Sequence, residues 1–372
     1  MVEKRADIAV IGAGVVGCAI ARQLSITRPS TKIVVLEKLR SVGLETSSLN
    51  SGVLHSGIHQ NPNFLKSKLA REGSKIAAHY MRIRSLPIMH CGMLIVVSQE
   101  SLRHGLYKEW LDLWQLIKKG KEQKINLKFL TPLGIKKIEP NIRALGGIFI
   151  SNVWVIDPTT LVNSLYKEAQ AKGVSFFFES PVISADKTNG TFLLSTPNKE
   201  FSAKKVVNAA GLYADEVARM AGFAEYKIYP WRGEYYEVIG EKKKLVSRLV
   251  YPALPANYPG KGIHFSPRVD GRLFVGPNAR PVPRKNFYIE CKTSVAEFLR
   301  AVQRFCPQIK EEDLVWAYSG IRPKLTNAAE ESDFIIKLDN QNPHWLNLVG
   351  VESPGLSSAM AIAEYVEKLF KS

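Results

Sequence analysis

Asp7-Ile-Ala-Val-Ile-Gly-Ala-Gly-Val-Val-Gly17 is the stretch that decides the fold. Ile8 to Ile11 is a short apolar run, mostly β-branched, which predicts a buried parallel strand. Gly12, Gly14 and Gly17 follow at G-x-G-x-x-G spacing. The first glycine permits a tight turn, the second lets a diphosphate approach the backbone, and the third lets the next helix pack on the strand. That helix is expected from Val15 to Leu24, with its free amides facing phosphate. Alone the motif is weak. Here a second apolar run, Lys32-Ile-Val-Val-Leu36, ends on Glu37, where an acid grips a ribose hydroxyl. Strand, glycines, helix, strand and acid in this order predict a dinucleotide-binding α/β unit.

Working outward, the chain has 372 residues, room for two domains or one composite one. It is 45% hydrophobic and 23% charged, as expected of a soluble globular enzyme. No apolar run approaches the ~20 residues that span a bilayer. Lys4 and Arg5 precede an apolar stretch, but Asp7 and the glycines mark it as a first strand, not a signal peptide. Cys18, Cys91, Cys291 and Cys306 lack metal or redox spacing, which points to a reduced cytoplasmic setting and no bound metal. The net charge of +17 raises nucleic acid, an anionic membrane or an anionic substrate as partners. No nucleic-acid motif is present. The clusters at Lys118-Lys119-Gly-Lys121, Lys136-Lys137 and Lys242 to Lys244 read first as solvated faces. A peripheral contact with the cytoplasmic membrane face is carried as the second expectation.

The next informative stretch is Glu45-Thr-Ser-Ser-Leu-Asn-Ser-Gly-Val-Leu-His55-Ser-Gly. Small hydroxyl residues and glycines after the acidic strand end suit backbone wrapped around a cofactor. This sequence resembles the FAD-dependent oxidoreductases of the D-amino-acid oxidase (DAO) superfamily, especially L-2-hydroxyglutarate dehydrogenases and short FAD-dependent glycerol-3-phosphate oxidases. The resemblance implies an α/β fold: a Rossmann-like FAD-binding domain with an inserted, mostly antiparallel β-sheet substrate domain. The boundaries expected are 1–85, 145–222 and 318–372 for the FAD domain, and 86–144 and 223–317 for the substrate domain. It also implies FAD held non-covalently by Gly12, Gly14, Val15, Val16, Gly17, Glu37 and Lys38, then by Thr46, Ser47, Asn50, Ser51, Gly52 and Val53. Later contacts implied are the Val182 backbone, Ala210, Gly211, Gly320, Gly355, Leu356 and Ser357.

Between these motifs, helices are expected at Phe64 to Tyr80, Glu100 to Lys119, Asp157 to Lys172 and Val295 to Phe305. Phe192 to Ser195 with Phe201 suggests a small hairpin layer. From Ile228 to Ile289, four short strands separated by Pro, Gly and Asp form the inserted sheet. Leu314 to Tyr318 is expected to return to the first domain, with Trp316 and Tyr318 open between core packing and ligand contact.

The chemistry implied is oxidation of an alcohol carbon, with hydride passing to flavin N5. His55 is the candidate acceptor of the hydroxyl proton, because imidazole suits that role near neutral pH. Ser51 and Ser353 match positions near the flavin. Arg322, in Gly320-Ile-Arg-Pro-Lys324, is the candidate anion clamp, since guanidinium grips carboxylate or phosphate bidentately. Arg232, Lys261 and Lys324 are further cationic candidates for substrate binding. Gly262-Ile-His-Phe-Ser-Pro-Arg-Val-Asp-Gly271 and Val275-Gly-Pro-Asn-Ala279 look like the hydroxyglutarate enzymes, while Gly260-Lys-Gly262 and Ile321-Arg-Pro323 look like the glycerol-phosphate enzymes. The substrate expected is L-2-hydroxyglutarate, with sn-glycerol 3-phosphate as the alternative. An amine oxidase and an FAD-binding subunit of a larger dehydrogenase are further readings. A quinone or another electron acceptor is the expected partner.

Overall fold

A computed structural model describes residues 3–99, 107–188, 190–255, 258, 260–339 and 342–371. Two large sheets organise them. The first has eight strands, six of them in the spatial order Ser184–Thr188, Thr191–Ser195, Glu200–Asn208, Glu3–Ile11, Ile33–Leu36 and Ser175–Phe177. Trp345–Val349 also runs parallel to Glu200–Asn208, and Ile335–Leu338 pairs with it antiparallel. The central strands pair in parallel, Val10 lying opposite Val35 and Val207. Strand alternation sends Ile8, Val10, Val35 and Leu346 to one face, under the helices Val15–Thr27, Leu65–Ile83, Pro158–Ala171 and Gly355–Leu369. It sends Ala9, Ile11, Val34 and Val206 to the other, against Ala214–Met220. Asp157 caps its helix by accepting from the Thr159 and Thr160 amides, with Pro158 in the first turn.

The second sheet has nine strands. Eight follow the order Arg280–Pro281, Tyr229–Val238, Leu273–Gly276, His264–Pro267, Leu249–Pro252, Met93–Ser98, Ala144–Ile150 and Leu127–Leu130, with Leu314–Lys324 pairing beside Tyr229–Val238. All pairings are antiparallel except Leu249–Pro252 with Met93–Ser98. A three-stranded sheet joins Val53–Leu54, Trp154–Ile156 and Ile88–Met89. Both large sheets therefore bear out the Rossmann-like plus inserted-sheet expectation.

Four expectations need correction. The boundary at 145 falls inside Ala144–Ile150, which pairs antiparallel with Met93–Ser98, so this segment lies in the second sheet. Leu314 to Tyr318 does not return to the first sheet. It pairs with Tyr229–Val238 over its full length, and the strand crosses the boundary expected at 318. Thr191–Ser195 makes no separate layer; it extends the first sheet by pairing with Glu200–Asn208. The helix expected from Glu100 is described from Tyr107 to Glu122; its earlier positions Leu102 and Leu106 lie outside the described residues.

Candidate active site

An elongated cavity runs along the seam between the sheets. Its adenosine half, named for the expected position of FAD, is lined by Ile11, Gly12, Gly14, Glu37, Lys38, Thr46, Ser47, Val182, Ala210 and Gly211. Its reacting half is lined by Gly14, Val15, Val16, Thr46, Ser47, Asn50, Ser51, Val53, His55, Gly320, Arg322, Ser353, Gly355, Leu356 and Ser357. Gly14, Thr46, Ser47 and Gly211 line both, so the two halves are continuous. Gly17 and Gly52 do not line it. Gly17 instead lets the helix sit on the Gly12 carbonyl, and Gly52 lets the chain pass the Ile156 carbonyl.

The adenosine half is built by local sequence. Gly12 has φ +102°, and a Cβ there would stand 2.6 Å from the Ala209 carbonyl oxygen. The helix Val15–Thr27 opens on Gly14 with no side-chain cap of its own. The Ser47 hydroxyl accepts from the Val15 amide at 2.9 Å, closing one of the free first-turn donors. Glu37 accepts from the Ala13 amide at 2.7 Å and the Leu39 amide at 2.9 Å. Burial raises its carboxyl, and those two amides oppose the rise. Lys38 pairs with Glu45 at 2.8 Å and lies over the Tyr213 ring.

The reacting half is assembled from remote segments. His55 is fixed at its backbone by two helices: its amide donates to Ser357 Oγ at 2.9 Å, and its carbonyl accepts from Ser74 Oγ at 2.6 Å. Its imidazole lines the cavity. Burial, reinforced by the charges of Lys261, His264 and Arg322, pushes it down to about 3. The ring is thus neutral and keeps a lone pair for accepting a proton. Asn50 donates to the Thr46 and Ser47 carbonyls and accepts from the Gly52 amide at 2.8 Å, which shapes the loop. Tyr318 Oη and Arg268 each donate to the Asn50 carbonyl at 2.9 Å, and Thr46 Oγ1 donates to the Ile321 carbonyl. The second sheet thereby holds the loop. Gly320 is required here, because a Cβ would overlap the Leu49 carbonyl oxygen.

Arg322 lies on the strand opposite Trp231. It lines both the reacting half and an adjoining side cavity with Lys66, Lys261 and Lys324. Lys261 reaches the His59 carbonyl at 3.3 Å. Burial lowers its ammonium to about 8, with Glu331 opposing and Lys66 reinforcing. Lys324 is engaged by the Ala328 carbonyl at 2.6 Å and lies over Trp231. Lys66 pairs with Glu331 at 3.0 Å.

Arg232 does not join them. Neighbouring strand residues face opposite sides, so while Trp231 shares the Arg322 side, Arg232 points away. Its guanidinium donates to the Glu290 and Cys291 carbonyls and pairs with Glu234 at 3.3 Å. It is a buried structural cation. Trp316 packs with the second sheet's core, and Tyr318 stacks on Tyr235 with ring centroids 4.6 Å apart.

Residues that motif reading passed over also stand here. Tyr235 and Pro277 line the reacting half, and Ser51 interacts with the Tyr235 hydroxyl. Glu352 lines both the reacting half and the side cavity. His59 lines the side cavity, four residues after His55. Lys66, in the helix Leu65–Ile83, is set apart from other lysines by its burial.

A cavity with a glycine cradle and a helix start at one end, and a neutral histidine beside a guanidinium at the other, has the form of a dinucleotide-dependent enzyme's site. The chain belongs to the DAO family: the description FAD dependent oxidoreductase matches residues 7–369. It is an FAD-dependent oxidoreductase. It is 31% identical over 376 residues to the glycerol 3-phosphate oxidase of Mycoplasma pneumoniae, covering 98% of this chain and 94% of that protein. It is 30% identical over 409 residues to the mitochondrial L-2-hydroxyglutarate dehydrogenase of Homo sapiens, covering 96% and 87%. Among solved structures, dithionite-reduced L-alpha-glycerophosphate oxidase from Mycoplasma pneumoniae with FAD bound matches with a TM-score of 0.88 at 28% identity, covering 99% of this chain and 95% of that one.

Proposed function

We propose that this protein oxidises a small secondary alcohol with a dianionic end, and that sn-glycerol 3-phosphate, giving dihydroxyacetone phosphate, fits best. The observation that carries this reading is convergence: Lys261 and Arg322 line one side cavity next to the reacting half, and the charges of both bear on the His55 imidazole. Two cations meeting at one place suit a single doubly charged group. Gly14, Ser47, Glu37, Val182 and the start of helix Gly355–Leu369 would hold FAD, which when bound supplies the hydride acceptor.

In this reading Arg322 and Lys261 seat the phosphate, so that the carbinol carbon lies in the reacting half. His55 takes the hydroxyl proton as the carbon gives up its hydride. Docking assists that transfer. The anion cancels the positive fields of Lys261 and Arg322, and so raises the basicity of His55 when substrate is present. Ser51 and Ser353 line the reacting half and, in this reading, hydrogen-bond substrate or flavin.

L-2-hydroxyglutarate is the second reading. The side cavity beyond Arg322 offers Lys66 and Lys324 to a second carboxylate. It ranks second because those two cations are already engaged, by Glu331 and the Ala328 carbonyl. The test is anaerobic bleaching of the flavin by each substrate. Fast bleaching by sn-glycerol 3-phosphate alone supports the first reading. Bleaching by L-2-hydroxyglutarate alone replaces it with the second. Bleaching by neither, from FAD-loaded protein, rejects both.

A further inference from the structure

The helix Tyr107–Glu122 carries a surface that the reaction does not use. Its inner side is packed, with Leu113 and Leu116 buried under the second sheet. Its outer side is not. Leu111 is 59% exposed and Trp114 65% exposed, one turn apart. Trp110 adjoins Phe129, whose ring centroid is 6.3 Å away and which is 50% exposed on the next strand. Single exposed apolar residues are ordinary, but clustered large ones mark an interaction face.

Charge is sorted across the same element. Glu109 turns inward, accepting from the Ser98 amide and hydroxyl and pairing with Arg304, and Asp112 is buried. Lys108, Lys118, Lys121, Lys124 and Lys128 are exposed, with Lys118 and Lys121 four and seven positions after Trp114 and so on its side of the helix, and Glu122 is the one exposed acid among residues 107–129. The chain as a whole carries +17. A second copy on a twofold axis would set these lysines against themselves, which disfavours self-pairing.

We propose that this face docks the protein on an anionic lipid surface. Leu111, Trp114 and Phe129 enter the boundary between headgroups and acyl chains, and the flanking lysines meet lipid phosphates. Apolar burial and electrostatic attraction then act together, as in interfacial helices.

The test is co-sedimentation of the FAD-loaded enzyme with vesicles of phosphatidylcholine alone, or mixed with phosphatidylglycerol. Binding is expected to the mixed vesicles and to weaken with salt. Leu111→Ser with Trp114→Ser lowers the partition coefficient ~10-fold or more. Lys118→Glu with Lys121→Glu lowers it comparably and flattens the salt dependence. Each variant keeps its FAD content and its turnover of soluble substrate. Lys243→Glu with Lys244→Glu removes as many charges from another exposed cluster and leaves binding in place. The proposal is overturned by equal pelleting with and without phosphatidylglycerol, by wild-type binding of the Leu111/Trp114 variant, or by equal loss in the Lys243/Lys244 variant. It is also overturned if the free enzyme is a dimer that Leu111→Ser with Trp114→Ser dissociates, which would give this face to a second copy.

Discussion

The two halves of the cavity are built in opposite ways. The adenosine half draws much of its shape from one short stretch, where Gly12, Gly14 and Glu37 stand within a single strand–helix–strand unit. The reacting half takes His55 from a loop pinned by two helices, Tyr235 and Arg322 from paired strands of the second sheet, and Ser353 from the turn before the last helix. The first is built largely around glycine backbone with Glu37 and Lys38 beside it; the second is lined by side chains from several elements, with Arg322 and Glu352 as its charged groups and Lys66, Lys261 and Lys324 in the adjoining side cavity. The difference teaches that binding the cofactor and choosing the substrate rest on separable parts of the sequence.

Four substitutions and one titration press on that separation. The largest effect is expected at His55. His55→Asn lowers the rate of flavin reduction by ~10²-fold or more while FAD stays bound, checked by anaerobic stopped-flow absorbance. Loss of FAD instead would mean that the two halves are not separable. Next is Arg322→Met, which raises KM for the anionic substrate by roughly 10- to 100-fold and leaves FAD affinity alone. Equal losses on anionic and neutral alcohols would contradict the clamp. Glu37→Gln makes the reciprocal case: FAD dissociates about 10-fold more readily, read by fluorescence of released flavin, with flavin reduction by substrate unchanged in reloaded enzyme.

Lys261 gives a smaller, pH-dependent effect. It holds an anion only while protonated, and its ammonium is lowered to about 8 by burial. Affinity for the anionic substrate is therefore full below that value and falls as pH rises through it, whereas a neutral alcohol shows no such loss. A kcat/KM profile for both checks the sign. Arg232→Met is expected to change KM least, because the side chain faces away from the cavity. It leaves the buried Glu234 without its ion pair, so thermal stability falls by several degrees in a melting experiment. A large KM effect at unchanged stability would return Arg232 to the site.

The adenosine half was legible in the sequence because its signals are local. Glycine spacing, apolar runs and one acid fix a turn whose geometry depends on few other residues. Gly12, Gly14 and Glu37 could be numbered from that spacing, whereas Thr46, Ser47, Val182, Ala210 and Gly211 were implied by the resemblance. The reacting half was legible mainly through resemblance. Nothing in the spacing of His55, Lys261 and Arg322 brings them together; the Thr46 and Tyr318 hydrogen bonds tie the loop before His55 to the Arg322 strand, Lys261 meets Arg322 at the side cavity, and the pairing of Leu314–Lys324 with Tyr229–Val238 sets only the side that Arg322 takes. The same pairing explains the error on Arg232. One position along a strand exchanges cavity for core, and a cation count does not report which face it takes. Leu127–Leu130 escaped notice because it is a short, half-exposed strand of mixed character, made regular by pairing with Ala144–Ile150. Lys66 escaped because burial is a tertiary property.

The helix Gly355–Leu369 packs on Val15–Thr27 and Leu65–Ile83, and its Ser357 hydroxyl holds the His55 amide. The glycine turn that announces the fold is thus completed by residues from the far end of the described chain. During synthesis the ribosome makes the first part of the cofactor cradle early and its closing wall late. A nascent chain carrying the dinucleotide motif has an unfinished pocket until Gly355–Leu369 has been made, and retention of the flavin waits for that helix.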